Sequence, residues 1–167
     1  MISHAKTALA PAASLQFNVL TLAAAVTAAI AATTAASIGW PVWAMFMGWV
    51  AFFTRGHTAK EALFSYLCLA IGIAFGAGAA LGVAALIPLM GPLAFGPIVF
   101  GVAIIVVSLR AMPYLNNVSS YFLGLITFFA AHLEPGILAF SELAAVSGLG
   151  SFAAWLAHIL QSRITRR

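Results

Sequence analysis

Glu142 lies in the apolar run from 137 to 161, seven residues beyond Pro135. At 1.5 Å per residue it stands roughly 10 Å into a helix. A carboxylate at depth costs about 2.5–3.5 kcal/mol on insertion scales and usually faces a cavity or a partner. Glu142 is therefore either a solute or proton site or a protonated acid bonded to a backbone carbonyl. Ser141 precedes it, and Ser65-Tyr66 hold the corresponding place in an earlier run. His132 and Glu134 close another run. They form either a pH-sensing pair or an ordinary interfacial histidine beside an acid. His158, one turn before the basic tail, reads as interfacial.

Little else in the chain can do chemistry. There is no Asp, and the three Glu are not arranged as a catalytic pair. No Cys/His spacing suits a metal, and no Gly-x-Ser-x-Gly is present. Gly76-x-Gly78 falls inside an apolar run and opens no phosphate loop. Cys68, the single cysteine, lies in an apolar run and reads as a packing residue. The expectation is a protein that is not an enzyme and uses no cofactor or metal.

These groups must be held by membrane-spanning helices. Of 167 residues, 64% are hydrophobic and 6% charged, too few charges to keep a folded surface of this size solvated. The apolar runs reach 17 to 26 residues in most segments, longer than the alternating strands of a membrane barrel. The class is all-α integral membrane. The basic pI near 9.9 does not point to nucleic acid, because the basic residues are few and scattered.

Apolarity and Gly/Pro punctuation predict six segments, approximately 17–39, 41–54, 62–87, 93–112, 117–133 and 137–161. The second and fifth are short. Arg55 and Lys60 lie between segments two and three, Arg110 ends segment four, and Lys6, Arg163, Arg166 and Arg167 flank the whole. The other three loops carry no Lys or Arg. This alternation predicts six crossings, segment two included, with both termini in the cytoplasm. A cleaved signal peptide ending near Thr34-Ala35-Ala36 is the competing reading of the N-terminus.

Residues 42–72 align without a gap on 118–148, with nine of 31 positions identical and none of the nine an alanine. "FMGWVAFF" matches "FLGLITFF", and "LFSYL" matches "AFSEL". The offset of 76 maps segment two on five and three on six. Three crossings per copy make the second copy enter from the opposite side, an inverted 3+3 repeat. The expected organisation is a cytoplasmic tail (1–16), a first three-helix repeat (17–88), a second, inverted one (92–162) and a basic cytoplasmic tail (163–167).

Inverted repeats are frequent among proteins that move solutes, with the pathway where the repeats meet. Short segments two and five point there, and their ends must be satisfied by protein or by a wet cavity. Asn116-Asn117 is a candidate cap for segment five. Phe46, Gly48, Phe52 and Phe53 on segment two repeat as Phe122, Gly124, Phe128 and Phe129 on segment five. They either form an apolar constriction or fill space beside glycine. Gly72-x-x-x-Gly76, Gly78-x-x-x-Gly82 and Ser147-x-x-x-Ser151 mark close helix contacts. The expectation is a channel or facilitator for a small, uncharged or weakly hydrated solute. The alternatives are a proton-coupled transporter using Glu142 and a non-transporting scaffold or accessory subunit. The partners expected are the lipid bilayer, the solute and further copies in a homo-oligomer, without nucleic acid.

At "GWPVWAMFMGWVAFFTRG" the chain resembles the YcdZ-like family of small bacterial inner-membrane proteins of unknown function, over about 17–160. That resemblance implies a multi-pass protein of the bacterial inner membrane and transfers no catalytic residues. Aquaporins share inverted three-helix repeats, but their Asn-Pro-Ala boxes are absent. Stacked Phe around a narrow pore, as in urea and formate channels, is an analogy only.

Overall fold

A computed structural model describes residues 11–166, which form six α-helices and two short 3-10 turns. The helices are α1 (Pro11–Ser37), α2 (Val42–Phe52), α3 (Ala59–Met90), α4 (Phe95–Ser108), α5 (Val118–Ala131) and α6 (Ile137–Thr165). No strand occurs among the described residues. Lys6 and Arg167 lie outside them. Helix α1 is already helical at Pro11, the first described residue, so residues 11–16, read from sequence as tail, are helical. Three helices, α1, α3 and α6, are long and apolar enough to cross a membrane.

The sequence breaks become helix ends for identifiable reasons. Gly39 takes φ +75, which a residue with a side chain rarely adopts. The Gly39 and Trp40 N–H groups then donate to Ala36 and Ala35, closing α1 with a Schellman motif. Pro41 follows and starts α2 without a wasted donor. Thr58 caps α3 by accepting from the Glu61 N–H at 3.2 Å. Helix α3 continues through Pro88 to Met90, past the break read at that proline, and ends at Gly91 with φ +55. The 3-10 turn Gly91–Ala94 then leads into α4.

Helix directions follow from named contacts. Ser147 and Ser151 of α6 donate to the Ala44 and Gly48 carbonyls of α2, so these two helices run parallel. A Cβ at Gly72 would collide with the Tyr121 carbonyl, and one at Gly76 would stand 2.6 Å from the Phe128 Cβ. Helices α3 and α5 therefore also run parallel. Helix α4 folds back on α3, with Ile98 against Gly82 and with Val102 and Phe75 lining one groove. Gln161 of α6 donates to the Leu20 carbonyl near the start of α1. The main core joins Ala31 and Ala35 of α1, Met45 of α2, Leu69 and Ile73 of α3, Phe128 of α5, and Leu143 and Val146 of α6.

Gly48 meets the Ser147 carbonyl, and Gly124 meets the Leu69 carbonyl. Gly150 meets the Met45 carbonyl, and Gly72 meets the Tyr121 carbonyl. The contacting positions are 76 apart between α2 and α5 but 78 apart between α3 and α6, as are the helix starts at 42 and 118 and at 59 and 137. The contact spacing thus equals the sequence offset of 76 in the short helices and exceeds it by two in the long ones. Gly150, not Gly148, occupies the place corresponding to Gly72.

Candidate functional site

The ends of α2 and α5 meet in a buried polar junction. Asn117 is the N-cap of α5 and accepts from the Ser120 N–H at 3.3 Å. Its amide donates to Thr54 Oγ1 at 2.6 Å and to Ser65 Oγ at 3.0 Å. Thr54 Oγ1 also lies 2.6 Å from the Ala51 carbonyl and 3.0 Å from Ser120 Oγ. A carbonyl can only accept, so the Thr54 hydroxyl proton goes to Ala51. Thr54 then has two lone pairs to offer, one for the amide and one for Ser120 as donor. The polar side chains where α2 ends and α5 begins thus satisfy one another. Among the described residues no buried side-chain polar atom lacks a partner.

Just outside this junction, Arg55 Nε pairs with Glu61 at 2.7 Å while its Nη1 donates to the Tyr114 carbonyl at 2.8 Å. The Lys60 ammonium sits 4.6 Å above the Tyr114 ring, and Phe64 stacks on that ring. His57 and His158 stack at 4.9 Å, beside Phe52. These contacts bring Arg55, Lys60 and the helix α6 end that carries Arg163 to one end of the bundle. Arg110 belongs to the 3-10 turn just before Tyr114.

A groove of about 330 Å³ runs between α3 and α6, lined by Leu63, Tyr66, Gly148, Ser151 and Trp155 among others. Tyr66 bridges its floor, its hydroxyl donating to the Ala144 carbonyl at 3.1 Å. A Cβ at Gly148 would stand 3.3 Å from the Tyr66 ring.

The residues singled out from the sequence separate into three places. Gly48 and Gly124 are buried at helix contacts. Phe52 and Phe128 are buried too, but on different neighbours: Phe52 beside the two histidines and Phe128 against Gly76. Phe46, Phe53, Phe122 and Phe129 point outward. Two of the six Phe thus pack inside, in separate surroundings, and four face outward. Glycine's small size lets α2 seat on α6 and α5 on α3, and the remaining aromatics stay on the outer side of the two short helices.

Ser65 joins the Asn117 junction and Tyr66 the α3–α6 groove. Ser141 is exposed and bonds only the Leu138 carbonyl. Glu142 is partly exposed in a groove of about 610 Å³ formed with the 133–139 segment, which neither Ser65 nor Tyr66 lines. His132 ends α5 in the left-handed conformation, φ +51. It shares a groove with Glu134 and Phe129, yet the ion pair recorded among the described residues is Arg55–Glu61. No group of three His, Cys, Asp or Glu side chains among them could hold a metal.

Sequence reasoning found Asn117 as a cap but missed the reach of its amide to Thr54 and Ser65. It also missed the His57–His158 stack, whose partners lie 101 positions apart with no local signal. The serine spacing of 147 and 151 did mark a contact, and the structure adds that both hydroxyls bond α2 carbonyls.

No curated protein and no solved structure matches this chain. A family match covers residues 21–160 and agrees with the unknown-function part of the resemblance read from the sequence, while it does not carry the YcdZ-like name. On that match the chain belongs to DUF1097, a family of proteins of unknown function.

Proposed function

We propose that the chain is a six-crossing pair of inverted three-helix repeats with both termini cytoplasmic, and that it facilitates passage of a small, uncharged or weakly hydrated solute. The observation that carries this reading is the recurrence of one contact. Gly48 of α2 is pressed on an α6 carbonyl, and Gly124 of α5 on an α3 carbonyl. Each short helix docks on the long helix of the other half, the arrangement expected of intertwined inverted repeats. Parallel α2/α6 and α3/α5, with antiparallel α3/α4, fit alternating crossings. The gathering of basic residues at one end fits a cytoplasmic face.

The pathway we assign is the α3–α6 groove, where the halves meet, rather than the Phe residues of α2 and α5. Its volume of about 330 Å³ is at the small end of ligand sites. Its lining is apolar, with the hydroxyls of Tyr66 and Ser151 as polar contacts. Glu142 lies outside it, so a passive facilitator is favoured over a proton-coupled transporter. A scaffold role in a bacterial inner membrane is the second reading, favoured by the full burial of Phe52 and Phe128.

The test is flux into liposomes over a panel of small solutes, with and without a pH gradient. Passive flux of at least one solute, lowered several-fold in Gly148→Leu protein of unchanged melting temperature, is the expected result. A pH-driven flux lost in Glu142→Gln would favour the coupled mechanism. No flux above empty liposomes for any solute would leave the scaffold.

A further inference from the structure

Helix α2 exposes Phe46, Val50 and Phe53, and α5 exposes Phe122, Ile126 and Phe129. The exposures are 42, 47 and 49% on α2 and 41, 51 and 42% on α5. Each stripe follows the i, i+4, i+7 spacing of one helix face. Each reads Phe, β-branched, Phe, and the paired residues are 76 positions apart. The same surface is thus presented twice.

We infer that this α2/α5 face is where a second copy of the chain docks within the bilayer. The first reason is length. Helix α2 has 11 residues and α5 has 14, about 16 and 21 Å against a hydrocarbon core about 30 Å thick. Facing lipid, they would require local thinning of the bilayer, at a fraction of a kcal/mol per Å of mismatch. The other exposed helices escape this. Helix α1 has 27 residues, and α4 with its following 3-10 turn reaches about 27 Å. A protein surface of the same height on the other side removes the mismatch, and a second copy supplies one by construction.

The second reason is area. Aromatic side chains bury about 150–250 Å² each, so six half-exposed apolar side chains offer roughly 450 Å² per copy. Two copies give about 900 Å², and the flanking exposed Ser119 and Leu133 bring this toward the roughly 1,200 Å² at which stable interfaces begin. A repeated stripe suits an isologous contact, in which each copy uses the same patch. In this arrangement the four outward Phe are interface residues, and the α3–α6 groove remains a property of each copy.

The experiment uses the full chain in liposomes at high lipid excess, in a Cys68→Ala background. Val50→Cys and Ile126→Cys are expected to form cross-linked dimers with a short bifunctional thiol reagent. Ile104→Cys, on the exposed face of α4, is the control and is expected to stay monomeric. In parallel, Val50→Trp should weaken dimerisation at least tenfold by single-molecule subunit counting, with unchanged melting. A monomeric wild-type chain overturns the inference and leaves lipid as the occupant. Equal cross-linking at position 104 overturns it as well. Solute flux is recorded on the same samples. Flux without dimers fails this inference alone, and dimers without flux fail the facilitator reading alone.

Discussion

The α2–α6 and α3–α5 contacts reach the same closeness by different means. In both, glycine lets one helix lie on the backbone of the other: Gly48 and Gly150 in the first, Gly72 and Gly124 in the second. The first adds two hydroxyl bonds, Ser147 to Ala44 at 3.1 Å and Ser151 to Gly48 at 2.8 Å. The second adds none of this kind. It packs Phe128 on Gly76 and buries Tyr121 completely, with the Tyr121 hydroxyl on the Leu115 carbonyl. Close approach is the shared requirement, and the polar or aromatic supplement is what differs between the two contacts. In lipid, where apolar burial drives little helix association, packing and hydrogen bonds must hold both.

The largest effect should come from the shared element. Gly48→Leu and Gly124→Leu each force a side chain into a backbone carbonyl. Each should cost about 3 kcal/mol or more by overpacking, seen as loss of a cooperative melting transition in detergent. If only one of the two is damaging, the equivalence of the contacts fails. Next is Asn117→Leu at the junction between the short helices. It removes an N-cap and leaves the Thr54 and Ser65 hydroxyls short of a partner, a loss of about 2–3 kcal/mol. Isosteric Asn117→Asp keeps the capping oxygen but not the amide donor, so an unchanged melting temperature there would deny the amide its role.

The serine pair should matter less. Ser147→Ala with Ser151→Ala is expected to cost about 1 kcal/mol in total, since intramembrane hydrogen bonds average about 0.6 kcal/mol. The reading is a small drop in melting temperature without loss of the fold. Restoring the drop would need hydroxyls at these two positions and not elsewhere on α6, which Ala145→Ser serves to check. The smallest effect belongs to Glu61→Gln. The Arg55–Glu61 pair is partly exposed, at 19 and 28% for the two side chains, and should contribute no more than about 1 kcal/mol. That contribution should shrink further in high salt, a dependence the glycine variants should lack.

Sequence reading reached the helices through the length of apolar runs and Gly/Pro punctuation. Gly39 and Gly91 ended helices because only a positive φ turns the chain there, and that signal is local. The match between the two short helices was legible because Gly48 and Gly124 need the same small size for the same reason. The displacement by two in the long helices was not, because matches such as Phe64 with Phe140 kept the ungapped alignment attractive. Which Phe of α2 and α5 are buried and which face outward was not legible either. Spacing tells which residues share a helix face, but not which face a glycine will press on its neighbour. The junction at Asn117 joins residues 52 and 63 positions apart, and single polar residues at helix ends look like ordinary caps until their partners are known.

The partner that holds α2 is encoded 103 positions downstream of it. At synthesis rates of about 5–20 residues per second, roughly 5–20 s pass before Ser147 exists to meet the Ala44 carbonyl. Helix α2 must wait through that interval as a short apolar segment with its strongest neighbour unmade. The first half of the chain is therefore not a subassembly that matures alone. Its completion is timed by the arrival of the last helix, and a chain truncated before α6 leaves α2 without the surface it was shaped to fit.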